Sequence, residues 1–310
     1  MPSNQMIDNP RSPRVRAVAK LAKRDARSQT GLFLLEGPQS VTEALTFRPE
    51  LVVELFATPT ALERYTELAQ AAVDAGVDIE FVTEDVLSAM ADTVTPQGLV
   101  AVCRQFPTSI KDIFGSGRAG FGSGSDSDSD SGSDSDSGSG SGSGSGSRSG
   151  SGDSGGSPRL IAILEEVRDP GNAGTIIRAA DAAGADAVIM TGRSVDLYNP
   201  KVVRATTGSL FHVPVAVGIE LPAVLARCAA AGLQVLAADV KGSDLLTARR
   251  EGLLAAPTAW LFGNEARGLT DEHLALAERA IVVPIYGHAE SMNLATAASV
   301  CLYESAFAQH

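Results

Sequence analysis

From Gly115 to Ser157 the chain is almost only Ser, Gly and Asp, with a few Arg among them. Nothing in that tract can bury enough apolar surface to offset the entropy of ordering it, so it is expected to be disordered. It divides a 310-residue chain into two stretches, each of which has to build its own core. A Gly/Ser coil of this length spans on the order of 35 Å, which keeps two folded parts close without imposing an orientation on them. The expected organisation is a folded part over residues 1–114, a low-complexity linker over 115–157 and a second folded part over 158–310. The Ser-Asp alternation reads as a plain spacer in preference to a phosphorylation target or an acidic interaction tail.

The first part alternates between helix and strand signals. Arg14 to Arg27 has helical spacing, with Val15, Val18, Leu21 and Ala22 on one side. Apolar runs at Leu32–Leu35, Leu51–Phe56, Ile79–Val82 and Leu99–Cys103 read as strands. Ser40–Leu45, Ala61–Ala75 (stopped by Gly76) and the stretch from Glu84 read as helices. Helices between strands predict a small, parallel-rich α/β layer fold. This part holds neither a His–carboxylate pair nor a nucleophile motif, so it reads as a binding module.

The second part opens on Leu160–Leu164, a continuous apolar run suited to a central strand. Ala187–Met190, Leu233–Ala238, Ala259–Phe262 and Ile281–Ile285 repeat that signal, and the last helix runs from about Asn293 to Ala308. The alternation predicts a doubly wound, Rossmann-like α/β domain.

Bulk chemistry removes several function classes. Cys103, Cys228 and Cys301 are far apart and form no CxxC pair, so they read as small buried hydrophobes, neither a disulfide frame nor a zinc site. The four histidines have no ligand-like spacing, and no metal is expected. No apolar run approaches the roughly 20 residues of a membrane span, and the polar start lacks a signal-peptide core. Asp8 and Asp25 oppose a transit-peptide reading of the Arg-rich start, leaving a soluble cytoplasmic protein as the expectation. The net charge of −12 runs against a nucleic-acid partner, but part of the excess lies in the Asp residues of the low-complexity tract. Arg11, Arg14, Arg16, Lys20, Lys23, Arg24 and Arg27 gather at the front, and phosphate contacts respond to local potential within about 8 Å at physiological salt. By charge alone, a solvated helix face is the simpler reading of that cluster.

Three segments place Gly and polar side chains just past an expected strand, the edge at which open α/β sheets bind ligands. The first, Asp169 to Arg178, sets Asn172 and Arg178 less than two turns apart if a helix begins near Gly171. The second is Leu261 to Leu269, in which Gly263 and Gly268 permit tight turns, and Glu265 beside Arg267 is either functional or a surface ion pair. The third is Ile285 to Leu294, where Ser291 or Asn293 caps the last helix and His288 is a lone loop histidine. None of these three segments has GxGxxG or GxxxxGK[ST] spacing, which disfavours a dinucleotide oxidoreductase or an NTP phosphate loop.

In this order and at these spacings, the three segments resemble the signature motifs of the SpoU/TrmH family (SPOUT superfamily) of RNA 2'-O-ribose methyltransferases: N-x-G-x-x-x-R, F-G-N-E-x-x-G-L and S-[LM]-N-x-x-x-A. Met292 stands where Leu is common, and Asn199 to Ser209 looks like the family's connecting stretch. The resemblance runs from Arg159 to Ala306, and the entry Phe33–Gly37 resembles the family's L30e-like substrate-binding domain.

The resemblance implies a C-terminal domain knotted as a trefoil, paired as a homodimer, with a catalytic centre drawing on both subunits. It implies S-adenosyl-L-methionine held by Ala238, Asp239, Phe262, Gly263, Asn264, Glu265, Ile285, Ser291, Asn293 and Leu294. It makes Arg178 the key catalytic group, with Asn172, Glu265, Ser291 and Asn293 shaping its site. A guanidinium stays protonated, so Arg178 suits an electrostatic clamp on developing alkoxide charge or on the adjacent phosphate better than a general base. It also assigns RNA selection to the first part, through Arg14, Arg16, Lys20, Lys23, Arg24 and Arg27. Ribosomal RNA, the 23S molecule in particular, is the expected substrate; a tRNA 2'-O-methyltransferase and a non-catalytic RNA-binding assembly factor are the alternatives.

Overall fold

The computed structural model describes residues 6–115 and 157–310, so the tract expected as a linker lies, from 116 to 156, outside the described residues. Two helices, α1 (Pro13–Lys20) and α2 (Arg24–Thr30), replace the single helix expected over Arg14–Arg27. The break has a polar cause. Arg27 folds back so that its Nη1 donates to the carbonyls of Leu21 and Ala22, both at 2.8 Å, which would otherwise end α1 unpartnered.

The remaining elements of the first part are β1 (Leu32–Glu36), α3 (Pro38–Phe47), β2 (Val52–Ala57), α4 (Pro59–Arg64), α5 (Thr66–Asp74), β3 (Ile79–Phe81), α6 (Glu84–Met90) and β4 (Leu99–Arg104). The helix expected over Ala61–Ala75 is thus interrupted, at Tyr65. The sheet order is β1-β4-β2-β3. Only β2 and β3 are parallel; β4 runs antiparallel to both of its neighbours. The parallel-rich expectation is corrected on this point, because a buried apolar run such as Leu99–Cys103 reports burial and not direction.

Past β4 the chain crosses to the second part. The Thr108 N–H donates to the Val215 carbonyl at 2.9 Å, and α7 (Ile110–Phe114) packs Ile110, Ile113 and Phe114 against the far core. The second part continues through β5 (Leu160–Glu165), α8 (Pro170–Ala182), β6 (Ala187–Thr191), α9 (Pro200–Thr206), β7 (Val215–Ile219) and α10 (Leu221–Ala230). It ends with β8 (Gln234–Asp244), α11 (Leu245–Arg250), β9 (Thr258–Phe262), α12 (Asp271–Ala275), β10 (Arg279–Val282) and α13 (Leu294–Gln309). Its six strands are all parallel, in the order β10-β8-β9-β5-β6-β7. This is the α/β parallel architecture expected of it. All three cysteines are buried, and burial pushes the Cys228 and Cys301 thiols up to about 12. Among the described residues, no helix is long and apolar enough to cross a membrane.

The two parts share one continuous apolar core. Phe33 of β1 lies against Tyr198 with ring centroids 4.8 Å apart, and Phe106 stacks on Phe211 at 5.6 Å. Tyr198 Oη accepts the Phe106 N–H at 2.6 Å. Charged groups frame this junction: Arg27 with Asp196 at 2.5 Å, and Arg204 with Glu36 at 3.1 Å and Asp92 at 3.0 Å. Whatever the tract between them does, the parts have a fixed relative placement here.

His212 completes the junction. Its Nδ1 lies 2.9 Å from Asp181 of α8 and its Nε2 lies 3.1 Å from Glu43 of α3. The Asp181 hydrogen bond is the largest effect and raises the imidazole above its ordinary 6.5; burial opposes it, and the Asp181 charge with the Glu43 hydrogen bond and charge adds to the rise. For Asp181, burial opposes ionisation, but the hydrogen bonds from His212 and Ser209 outweigh it and hold the carboxyl below 3.8. A raised folded-state value means the imidazolium's stabilisation is complete below pH 6.5 and is lost as pH rises through the folded value. A lowered one means the Asp181 contribution is present above pH 3.8 and is lost as pH falls through the folded value. The stability advantage of wild type over His212→Gln should therefore be largest between those limits and shrink toward alkaline pH. Thermal denaturation from pH 5 to 9 checks this; a constant difference in Tm across that range would refute it.

Candidate active site

From β5 the chain builds outward through β6 to β7, then crosses to the other flank, so β5 and β9 meet where the winding direction reverses. The crevice beyond the carboxyl ends of such strands is where ligands bind in this architecture. Here it is bounded by the loop from Glu166 to Asp169 after β5 and the loop from Gly263 to Leu269 after β9.

Glu265 ties those loops together. Its carboxylate accepts the Asp169 N–H at 2.9 Å, the Arg168 N–H at 3.2 Å and the Asn172 Nδ2 at 3.4 Å. Asn264 adds a parallel tie, its Nδ2 donating to the Glu166 carbonyl at 2.9 Å while its Oδ1 accepts the Ala266 and Arg267 amides. Gly263 is required by the loop itself: a Cβ there would stand 2.6 Å from the Gly268 carbonyl carbon. Its bareness closes the turn, as the sequence expectation of a tight turn at Gly263 requires.

On α8, Asp169 is the N-cap, accepting the Asn172 N–H at 2.7 Å, and Pro170 occupies the first turn. This fixes Asn172 in the opening turn facing the crevice. Asn172 Oδ1 in turn accepts Asn293 Nδ2 at 2.9 Å, and Asn293 Oδ1 caps α13 through the Ala295 and Thr296 amides. Asn293, not Ser291, is therefore the cap. Three motifs spread over 121 positions of sequence converge in one hydrogen-bonded chain, Glu265–Asn172–Asn293.

Next to this chain β8 departs from β10. One step along β10, from Ala280 to Ile281, is matched by a jump from Ala237 to Ser243 on β8, so residues 238–242 loop out between paired segments. Ala238 and Asp239 belong to that loop, and a Cβ on Gly268 would lie 3.6 Å from Asp239 Oδ2. Phe262 is fully buried beneath. The third wall is the segment after β10, where Ile285 is 36% exposed and Tyr286 85% exposed. Among the described residues, the main chain from Ile285 to Met292 makes no hydrogen bond to the rest of the protein. Ser291 and His288 are exposed in it.

Arg178 stands apart from the cluster, about 9 Å of helix rise beyond Asn172. It is exposed, and its Nη1 donates to Thr207 Oγ1 at 3.3 Å. Arg267 does not pair with its neighbour Glu265; it joins Arg168 on the carboxylate of Glu166, a non-glycine residue with φ 52.

The basic residues at the front divide. Arg27 is 2% exposed and bonded to Asp196, Leu21 and Ala22, so it is a buried structural cation and not a surface contact. Arg14 is occupied by Glu54 and Glu80 and lies over the Phe56 ring. Arg16, Lys20, Lys23 and Arg24 remain exposed. The sequence reading missed Glu166, Thr207 and the capping role of Asp169. Only the last had a local signal, an Asp-Pro pair at a helix start.

Residues 159–303 match the model of the SpoU rRNA Methylase family, and residues 34–109 match that of RNA 2'-O ribose methyltransferase substrate binding. Over 299 residues the chain is 28% identical to the 23S rRNA (guanosine(2553)-2'-O)-methyltransferase RlmP of Bacillus subtilis (strain 168), spanning 96% of this chain and 98% of that protein. It is 38% identical over 148 residues to a 23S rRNA (uridine(2479)-2'-O)-methyltransferase of Streptomyces viridochromogenes, 46% of this chain and 50% of that one. The crystal structure of an AdoMet-bound rRNA methyltransferase from Sinorhizobium meliloti aligns with a TM-score of 0.72 at 28% identity, over 97% of each chain.

Replacing Glu265 by Ala should untie the two crevice loops while leaving the sheet intact. Amide hydrogen exchange at Arg168 and Asp169 is expected to quicken by about tenfold, with the β5 amides unchanged. Unaltered exchange at both amides would show that Glu265 does not hold the loops.

Proposed function

The chain belongs to the SpoU rRNA methylase family, and from this premise we propose that it transfers a methyl group from S-adenosylmethionine to a ribose 2'-hydroxyl of 23S ribosomal RNA. The observation that carries the reading is the convergence of Glu265, Asn172 and Asn293 at the crevice between β5 and β9. The residues present fit the cofactor: the main chain from Ile285 to Met292, without a hydrogen-bond partner among the described residues, suits a nucleoside's polar edges, and Ile285 offers an apolar face beside it. Ala238, Asp239, Phe262, Gly263, Asn264, Glu265, Ile285, Ser291, Asn293 and Leu294 are the residues we assign to holding it. When bound, it supplies the electrophilic methyl group.

The chain's own residues then have separable tasks. Glu265 and Asn293 fix the loops, and through them the amide of Asn172 is held at the mouth of the crevice. Such pre-set geometry lowers the entropic part of the barrier. Arg178, always protonated, lends positive potential to the developing 2'-oxyanion or grips the neighbouring phosphate. Its distance along α8 from Asn172 supports a centre completed by a second subunit, and the exposed aromatic pair Tyr303–Phe307 on α13 supports a homodimer through the C-terminal part. The return of α13 from the β10 edge onto α8 and β5 supports the trefoil threading. Arg16, Lys20, Lys23 and Arg24 are the RNA-facing cations of the L30e-like first part, whose alternating strands and helices support that assignment.

Arg178→Lys, which keeps the charge but loses the guanidinium fork, is expected to cut turnover by at least about a hundredfold while leaving S-adenosylmethionine affinity within twofold. Mapping 2'-O-methyl sites in total RNA with and without the gene should show one 23S position lost. If no 23S position changes, the substrate assignment fails.

A further inference from the structure

We propose that Thr207 is a positioning residue for Arg178, holding its guanidinium in the orientation in which it acts; this rests on the reading of Arg178 given above. Among the described residues, Thr207 Oγ1 is the hydrogen-bond partner of the Arg178 side chain, at 3.3 Å. The pairing is built into the packing of two helices. Gly174 lies one turn before Arg178 on the same face of α8, and a Cβ there would stand 2.5 Å from the Val202 carbonyl oxygen. Its bareness lets α9 lie close against α8, which brings the end of α9 within reach of Arg178.

Thr207 itself is held in an unfavourable backbone state, left-handed at φ 53 and ψ 35. A β-branched residue seldom adopts this conformation, and it persists only where surrounding contacts impose it. Those contacts come from both parts of the chain. Arg204, one turn earlier, is clamped by Glu36 and Asp92 of the first part. Thr206 Oγ1 bonds the Val203 carbonyl at 2.7 Å, and the Glu43 side chain lies so close to Gly208 that a Cβ there would be 2.4 Å from it. The turn from 204 to 208 is thus pinned by the RNA-selecting part, and the Thr207 hydroxyl, which donates to the Arg204 carbonyl at 3.5 Å, presents its oxygen to Arg178 as an acceptor. A glycine or asparagine would meet the backbone requirement more easily; what threonine adds is the acceptor for the guanidinium.

The test uses the full-length protein with S-adenosylmethionine and deproteinised 23S rRNA from cells lacking the gene. Thr207→Val is expected to lower kcat about tenfold, with the KM for S-adenosylmethionine within twofold of wild type. Thr207→Ser should restore at least half of kcat. Thr207→Gly relieves the left-handed strain and should lose kcat like the Val variant with no loss of Tm, which separates the hydroxyl from folding. In Arg178→Lys/Thr207→Val, kcat should be no lower than in Arg178→Lys alone, since the two residues act as one unit. Wild-type kcat in both Thr207→Val and Thr207→Gly, with Arg178→Lys impaired, overturns the Thr207 proposal alone. Losses that multiply in the double variant overturn it too. Unimpaired Arg178→Lys instead overturns the reading of Arg178 on which it rests.

Discussion

A single exposed carboxylate, that of Glu265, organises the crevice. By taking the backbone amides of Arg168 and Asp169 together with the side chain of Asn172, it binds the loop after β9 to the start of α8. Because Asn172 also holds Asn293, the same contact reaches the cap of α13. Backbone N–H groups at a helix start form a positive end that favours an anionic partner, so the carboxylate sits where the field stabilises its charge. Without this tie the three strand-end segments would be neighbours with no common register.

A second layer of constraint lies between the two parts of the chain. Arg27 with Asp196 is a nearly buried pair, and Glu36, also buried, is satisfied by Arg204, the Thr93 hydroxyl and the amides of Asp92 and Thr93. Breaking such a pair by removing one partner costs about 3–5 kcal/mol, because the remaining charge is left unpaired. Around these pairs Phe33, Phe106, Tyr198 and Phe211 form a shared aromatic seam. Asp196 follows Val195, whose amide bonds the Val167 carbonyl at 2.9 Å in the loop at the crevice. The junction and the crevice are therefore joined by a few residues of chain, and a disturbance of one is transmitted to the other.

Much of the site was legible because it is written locally. Glycines at strand ends, an Asp-Pro start to α8 and an Asn before α13 all encode turns and caps within a few residues of themselves. The order of apolar runs likewise encoded the doubly wound sheet. The basic cluster at the front was less legible: charge in a sequence does not reveal which cation faces solvent. Arg14 and Arg27 are engaged by Glu54, Glu80 and Asp196, residues between 40 and 169 positions away.

The sequence by itself determined the two-part organisation of the apolar runs, the parallel sheet of the second part and the three motifs that line its edge. Each depends on periodicity, caps or turns, which act over one or two helical turns. Only the tertiary structure decided that β4 runs against its neighbours, that Arg27 is buried, that Arg267 pairs with Glu166, and that Arg178 reaches Thr207. Those outcomes depend on which surfaces meet across the folded chain, and contact between distant residues has no periodic signature.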